Sequence, residues 1–373
     1  MKYILSLLVC LGLLSCSRSI PVADQGTQPT TPVKNEPVRK ARNVILLIGD
    51  GMGLSQITGG MYFNGNKTAL ERLPVVGLHK CHSLDNLVTD SAAGATAFAC
   101  GVKTFNGAVG VDGTGQPVQT ILEEAEERGL ATGLVATSSI VHATPASFIA
   151  HVVNRREYEQ IALQFLETDI DLFIGGGKSF FDRREDGRNL YDALRRKGYY
   201  ITDYFETPFN DVFVQERKNF GYLTADKEPL PASGGRDYLI PATQFSLKFL
   251  EERGRRGFFL MIEGSQIDWG GHANDPDYVI SEFVEFDAVI DICYNFARRD
   301  GETLLIVTAD HETGGFAINP ESTMDDLNVS FTTGGHTASM IPVFAYGPGS
   351  ERFAGIYDNT EIYSKMRKAY GWR

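Results

Sequence analysis

Six short apolar runs, each leading within a few residues to glycine or to a residue able to bind a cation, constrain this chain more than any other feature. They are Asn43–Ile48, Ala131–Ala136, Ile170–Ile174, Gly257–Ile262, Thr303–Thr308 and Ile341–Tyr346. Their apolar character is continuous rather than alternating, which marks strands buried on both faces. Between them, Val118 to Arg128 repeats apolar residues at helical spacing and stops at Gly129. Helix alternating with strand predicts an α/β fold, a mostly parallel central sheet with crossover helices on both faces. The charged, irregular stretch Lys178 to Leu250 is expected to form helices and connections outside that sheet.

Four of the runs lead into Asp50, the His142–Thr144 pair, Glu263 and Asp310-His311. In open α/β sheets, sites form beyond the carboxyl ends of the strands, so residues far apart in sequence should meet at one rim. Asp268 and His272 are spaced i and i+4, which on a helical turn puts both side chains on one side. Adjacent side chains point apart on a strand, so Asp310 and His311 are expected just past the end of theirs. His336 sits in a glycine-rich turn. Carboxylate with imidazole suits zinc, whereas carboxylate with hydroxyl, as in Glu263 and Thr144, suits magnesium. A single Asp or His near a turn is seldom a ligand; this many at strand ends are.

Thr89-Asp90-Ser91 opens a run of small, helix-competent residues, Ala92 to Ala97. Asp and Ser cap helices, and the N–H groups and dipole at such an end favour an anion or alkoxide. Taken alone this is an ordinary capped helix; beside metal ligands, Ser91 becomes a candidate nucleophile. No histidine lies near it in sequence to act as base, so metal coordination must activate the hydroxyl.

The net charge of −12 excludes a general nucleic-acid binder and requires local cations wherever an anionic substrate is held. Lys2 and the apolar Tyr3–Leu14 read as an export signal, and Leu13-Leu14-Ser15-Cys16 as a lipobox that would lipidate Cys16. A plain cleaved signal is the alternative. Residues 17–40 read as a flexible tether and residues 41–373 as one catalytic domain. Cys81, Cys100 and Cys293 are too few for a disulfide framework, although one bridge is possible.

The motifs GDGMG (49–53), TDSAAGATAF (89–98), GVKTFNGAVGVD (101–112), HATP (142–145), VNR (153–155), EGSQIDWGGH (263–272), TADHETGG (308–315) and GGHT (334–337) occur in this order. In them the chain resembles the alkaline phosphatases from Asn43 to the C-terminus. The resemblance implies a three-layer sandwich and a broad-specificity phosphomonoesterase that forms a phosphoserine on Ser91. It implies one zinc on Asp268, His272 and His336 and a second on Asp50, Asp310 and His311. A third metal, usually magnesium, would lie on Asp50, Thr144 and Glu263. Arg155 would clamp phosphate oxygens with its bidentate fork, oriented by Asp90. Many bacterial members carry Asp and Lys where this chain has His142 and Trp269, so zinc or cobalt could replace the third ion and phosphate could leave faster. Glu312 to Gly335 is short where members often bear an interface subdomain, which leaves homodimer and monomer both open. The expected location is the periplasmic side of a bacterial membrane.

A phosphodiesterase or sulfatase of the same superfamily is the competing enzyme reading. The Cys/Ser-x-Pro-x-Arg context of sulfatases is missing around Ser91. A catalytically silent metal-binding lipoprotein would have lost Ser91, Arg155 or a ligand, and none is lost.

Overall fold

The computed structural model describes residues 39–213, 218–324 and 326–373. The expected signal, Cys16 and the tether through residue 38 lie outside the described residues. Among the described residues, ten strands form one sheet: β1 (Asn43–Gly49), β2 (Val75–Lys80), β3 (Ala131–Ser139), β4 (Leu172–Gly176), β5 (Tyr199–Asp203), β6 (Asn219–Leu223), β7 (Phe258–Gly264), β8 (Thr303–Thr308), β9 (Ile341–Tyr346) and β10 (Gly355–Asp358). Their order is β10-β2-β9-β8-β1-β7-β3-β4-β6-β5. Only β9 runs antiparallel to its neighbours, β2 and β8. The sheet is therefore mostly parallel.

Successive side chains of a strand face opposite sides, and here each side is a core. From β1, Val44, Leu46 and Ile48 join one cluster with helices Ser91–Cys100 and Ile121–Glu127. Ile45 and Leu47 join the other, packed under helices Leu239–Arg253 and Pro276–Asp300. Every residue of β1, β3, β7 and β8 is buried, which is why these runs lack polar alternation. Those four strands are adjacent in the order β8-β1-β7-β3, so their carboxyl ends share one stretch of rim.

Three expectations need correction. Lys178 to Leu250 does not lie wholly outside the sheet, because it supplies β5 and β6 at one edge. Their sequences, YYITD and NFGYL, have no aliphatic run, since aromatic packing such as Tyr200 on Phe220 and Phe220 against Phe245 holds them. The helix expected from Val118 starts at Ile121: Thr120 caps it and forms a reciprocal box with Glu123. Cys81, Cys100 and Cys293 are all free and buried, so the possible bridge is not made.

Candidate active site

Asp50 follows β1 and Glu263 is the penultimate residue of β7; register sets Ile48 opposite both Glu263 and Thr308. Asp310 and His311 lie just beyond β8, where the chain has left the strand. His142 and Thr144 lie at the helical turn after β3. Asp268 and His272 occupy a helix over Gln266–Ala273, one turn apart. His336 opens a two-residue ladder, His336–Thr337 against Glu312–Thr313. Gly51, at φ 73°, makes the close approach possible: a Cβ there would lie 2.7 Å from Asp268 Cα.

The distances describe two cages. His272 Nε2 lies 3.3 Å from Asp268 Oδ2, His336 Nε2 lies 3.4 Å from Asp268 Oδ1, and the two Nε2 atoms are 3.1 Å apart. Ligands about 2.0–2.1 Å from a tetrahedral zinc stand about 3.3 Å from one another. In the second group His311 Nε2 is 3.2 Å from Asp310 Oδ2 and 3.5 Å from Asp50 Oδ1. The His311 and His336 rings stack at 3.6 Å between centroids, so the cages adjoin.

The imidazoles are aimed by their other nitrogens. His336 Nδ1 faces the carbonyl of Thr89 at 2.8 Å and His272 Nδ1 that of Gly334 at 2.7 Å. The Thr313 hydroxyl donates to Asp268 Oδ1 and lies 3.2 Å from His311 Nδ1. With Nδ1 carrying the proton, each Nε2 keeps its lone pair for the cage.

Several buried atoms here have no hydrogen-bond partner: both carboxylate oxygens of Asp50, Asp310 Oδ2, Glu263 Oε1, Thr144 Oγ1 and His142 Nδ1. Buried unpaired acceptors are costly and rare unless something else satisfies them. Burial, with Asp310, Asp268 and Glu263 nearby, pushes the Asp50 carboxyl well above its usual range. Burial takes Glu263 up to about 8, opposed by the Ser265 hydroxyl and reinforced by Asp310. Burial and then the Asp268 charge raise Asp310 to about 6. His272 rises to about 9 through its bond to Asp268. Burial keeps His311 and His142 neutral, His142 down to about 3. Clustered acids that repel one another around unpaired oxygens fit cations, and the donor set divides into two N/O groups and one oxygen-rich group.

Ser91 starts the helix Ser91–Cys100, whose Asp90 cap accepts from Ala93 N at 3.0 Å. The Ser91 hydroxyl lies 3.4 Å from His311 Nε2. Small residues serve the approach: a Cβ at Gly94 would stand 3.0 Å from Asp310 Cβ. Arg155 Nη1 pairs with Asp90 Oδ2 at 2.9 Å, and Gly107 N donates to the same oxygen. Ser91, Asp90, Arg155 and the candidate ligands thus lie at this rim, with His142 and Trp269 side by side in an edge-to-face contact at 6.0 Å.

Sequence reasoning missed Thr313, Asn106 and the two carbonyls. Asn106 pins the segment before Ser91, accepting from Asp90 N at 3.1 Å and donating to Val88 O at 3.0 Å. Thr313 had a signal, since residues i and i+2 of an extended segment share a face and His311 was already marked.

The model of the alkaline phosphatase family matches residues 41–329 and 324–372. Alkaline phosphatase 3 of Bacillus subtilis is 36% identical over 88% of each chain. Alkaline phosphatase of Escherichia coli is 30% identical over 89% of this chain and 87% of its own. The alkaline phosphatase structure from the Antarctic bacterium TAB5 superposes with a TM-score of 0.85, at 46% identity over 90% of this chain and all of that one. A histidine-to-glutamate variant of the TAB5 enzyme, 43% identical with a TM-score of 0.83 over 90% of this chain and 99% of its own, holds magnesium in its M3 site. The chain belongs to the alkaline phosphatase family and is a phosphomonoester hydrolase.

Proposed function

We propose that Ser91 takes the phosphoryl group of a small phosphate monoester and that water then releases it as inorganic phosphate. The observation that carries this reading is the Ser91 hydroxyl, 3.4 Å from His311 Nε2 at a helix N-terminus that abuts both cages. Asp268, His272 and His336 would hold one zinc, and Asp50, Asp310 and His311 a second. Asp50, Thr144 and Glu263 would hold the third ion. When bound, the cations supply Lewis acidity that lowers the pKa of the attacking hydroxyl and water and offsets charge on the leaving oxygen. The helix N-terminus adds N–H dipoles at the same point. Arg155, steered by Asp90, presents its fork to the phosphoryl oxygens. Two successive in-line displacements, from opposite faces and each inverting phosphorus, return it to its starting configuration. Contacts concentrated on the phosphoryl group support broad monoester specificity.

The third ion is magnesium, zinc or cobalt. Magnesium in the M3 site of the TAB5 variant supports the first, and the neutral His142 imidazole beside this group supports a softer ion. Lipidation of Cys16 and a tether would place the domain on the periplasmic side of a bacterial membrane, as homodimer or monomer. No helix among the described residues is long and apolar enough to cross a membrane.

Acid quenching during turnover of labelled substrate, followed by peptide mapping, tests the reaction. The label should appear on Ser91 and be lost in Ser91→Ala along with activity. Full activity in Ser91→Ala would refute the assignment. Comparing nitrophenyl phosphate with its bis-ester separates this reading from a phosphodiesterase.

A further inference from the structure

One buried carboxylate beside the cages belongs to neither. Glu312, only 5% exposed, follows His311 and is held by neutral donors. Its Oε1 accepts from Gln56 Nε2 at 2.5 Å and from Phe316 N at 3.1 Å. Its Oε2 accepts from Gly315 N at 3.2 Å and from the Thr337 hydroxyl. Gln56 Nε2 also donates to Thr313 O at 2.8 Å, tying the helix Leu54–Phe63 to the same knot. Space for this carboxylate comes from Gly53, where a Cβ would stand 2.3 Å from Glu312 Cγ.

The knot sits at a short stretch of backbone pairing. His336 is carried by a two-residue ladder whose register places it opposite Thr313 and Thr337 opposite Glu312. Two residues of pairing are marginal in water, and the chain between the two strands makes a long excursion from Gly314 to Gly335. The side-chain bond from Thr337 to Glu312 adds to the backbone pairing at that register and to the bond from Gly314 N to Gly335 O at 2.9 Å. The bonds from Gly315 N and Phe316 N fix the first turn of the excursion to the same carboxylate.

We infer that Glu312 is a positioning residue: its carboxylate clamps Thr337 and thereby holds His336 in the cage formed with Asp268 and His272. The inference rests on the reading of His336 as a zinc ligand. Groups that orient metal ligands are worth roughly 10–100-fold in metal affinity.

The full chain, stripped with a chelator, is titrated with zinc alone against a chromogenic competitor, and the thermal midpoint of the zinc-free protein is measured alongside. Glu312→Gln puts an amide N–H₂ among donors, and Thr337→Val removes the hydroxyl at constant shape. Each should weaken one zinc equivalent by roughly 10–100-fold and leave the other unchanged. Thr337→Ser, which keeps the hydroxyl, should restore the affinity. Should Glu312→Gln fail to fold, the Thr337 pair carries the test. If both variants melt earlier yet bind both equivalents as tightly as the parent, while His336→Ala loses one, Glu312 only stabilises the fold and the inference fails. If His336→Ala also keeps both, the reading of His336 as a ligand fails and takes the inference with it.

Discussion

Replacing Asp90 separates two jobs that one carboxylate does. Its Oδ1 caps the helix that begins at Ser91 by accepting from Ala93 N, and its Oδ2 takes both Gly107 N and Arg155 Nη1. Losing a cap costs about 1 kcal/mol, and a partly buried N–H left without its acceptor costs about 1 kcal/mol more. The ion pair, each side chain about one-fifth exposed, adds about 1 kcal/mol after allowance for solvent screening. Asp90→Ala should therefore lose about 3 kcal/mol, a fall of about 4 °C in Tm for a domain of this size. Asn caps as well as Asp, so Asp90→Asn keeps the cap and should lose about 2 kcal/mol. Both variants release the Arg155 fork from its fixed orientation. Arg155 grips phosphate in the ground state and the transition state alike, so KM and the inhibition constant for inorganic phosphate should rise together, about 10-fold, with kcat not reduced. Steady-state kinetics on nitrophenyl phosphate, phosphate inhibition and melting curves provide the readouts. A fall in Tm at unchanged phosphate inhibition would mean that Asp90 is a helix cap alone.

Other outcomes follow from the same geometry. In chelator-stripped protein, Glu263 at about 8 and His272 at about 9 both bind protons more tightly folded than unfolded, so their contribution declines as pH rises. Thermal midpoints of stripped protein should fall between about pH 6.5 and 9 while the gain from added zinc grows; a flat or rising profile would contradict this. Below that window the depressed His142 and His311 act in the opposite sense, losing stability as pH falls. Gly51→Ala forces a side chain into a left-handed position 2.7 Å from Asp268 Cα, so it should cost about 2–4 kcal/mol and reduce zinc content in metal analysis. His142→Asp with Trp269→Lys should strengthen both magnesium dependence and phosphate inhibition, because it adds a hard ligand and an ammonium; unchanged values for both would remove the role given to that pair.

The central strands were legible because burial on both faces leaves no alternative to an unbroken aliphatic run, as in NVILLI and TLLIVT. Their ends were legible for a related reason. A carboxylate such as Asp50 or Glu263, set directly after such a run, has no solvent-facing purpose and must be paired or bound. The edges were not legible. β5 and β6 bury less, rest on aromatic stacking and carry Asp, Asn and Gly, so their sequences read as connection. β2, with VVGLHK, alternates buried and exposed positions because one of its faces is only partly covered. Within the site, ligand types could be read from residue identity, but the groups that aim them could not. Thr89 and Gly334 act through backbone carbonyls, which every residue has, and Asn106 acts from a turn whose closure depends on the helix cap it meets.

Crystals grown with zinc and inorganic phosphate, with data collected above and below the zinc absorption edge, bear most directly on the claim that cations assemble around Ser91. The anomalous map should show one peak enclosed by Asp268, His272 and His336 and another enclosed by Asp50, Asp310 and His311. The two should stand about 4 Å apart, with the phosphate between them and the Ser91 hydroxyl. Phosphate bound at Arg155 with no anomalous density in either cage would contradict the account.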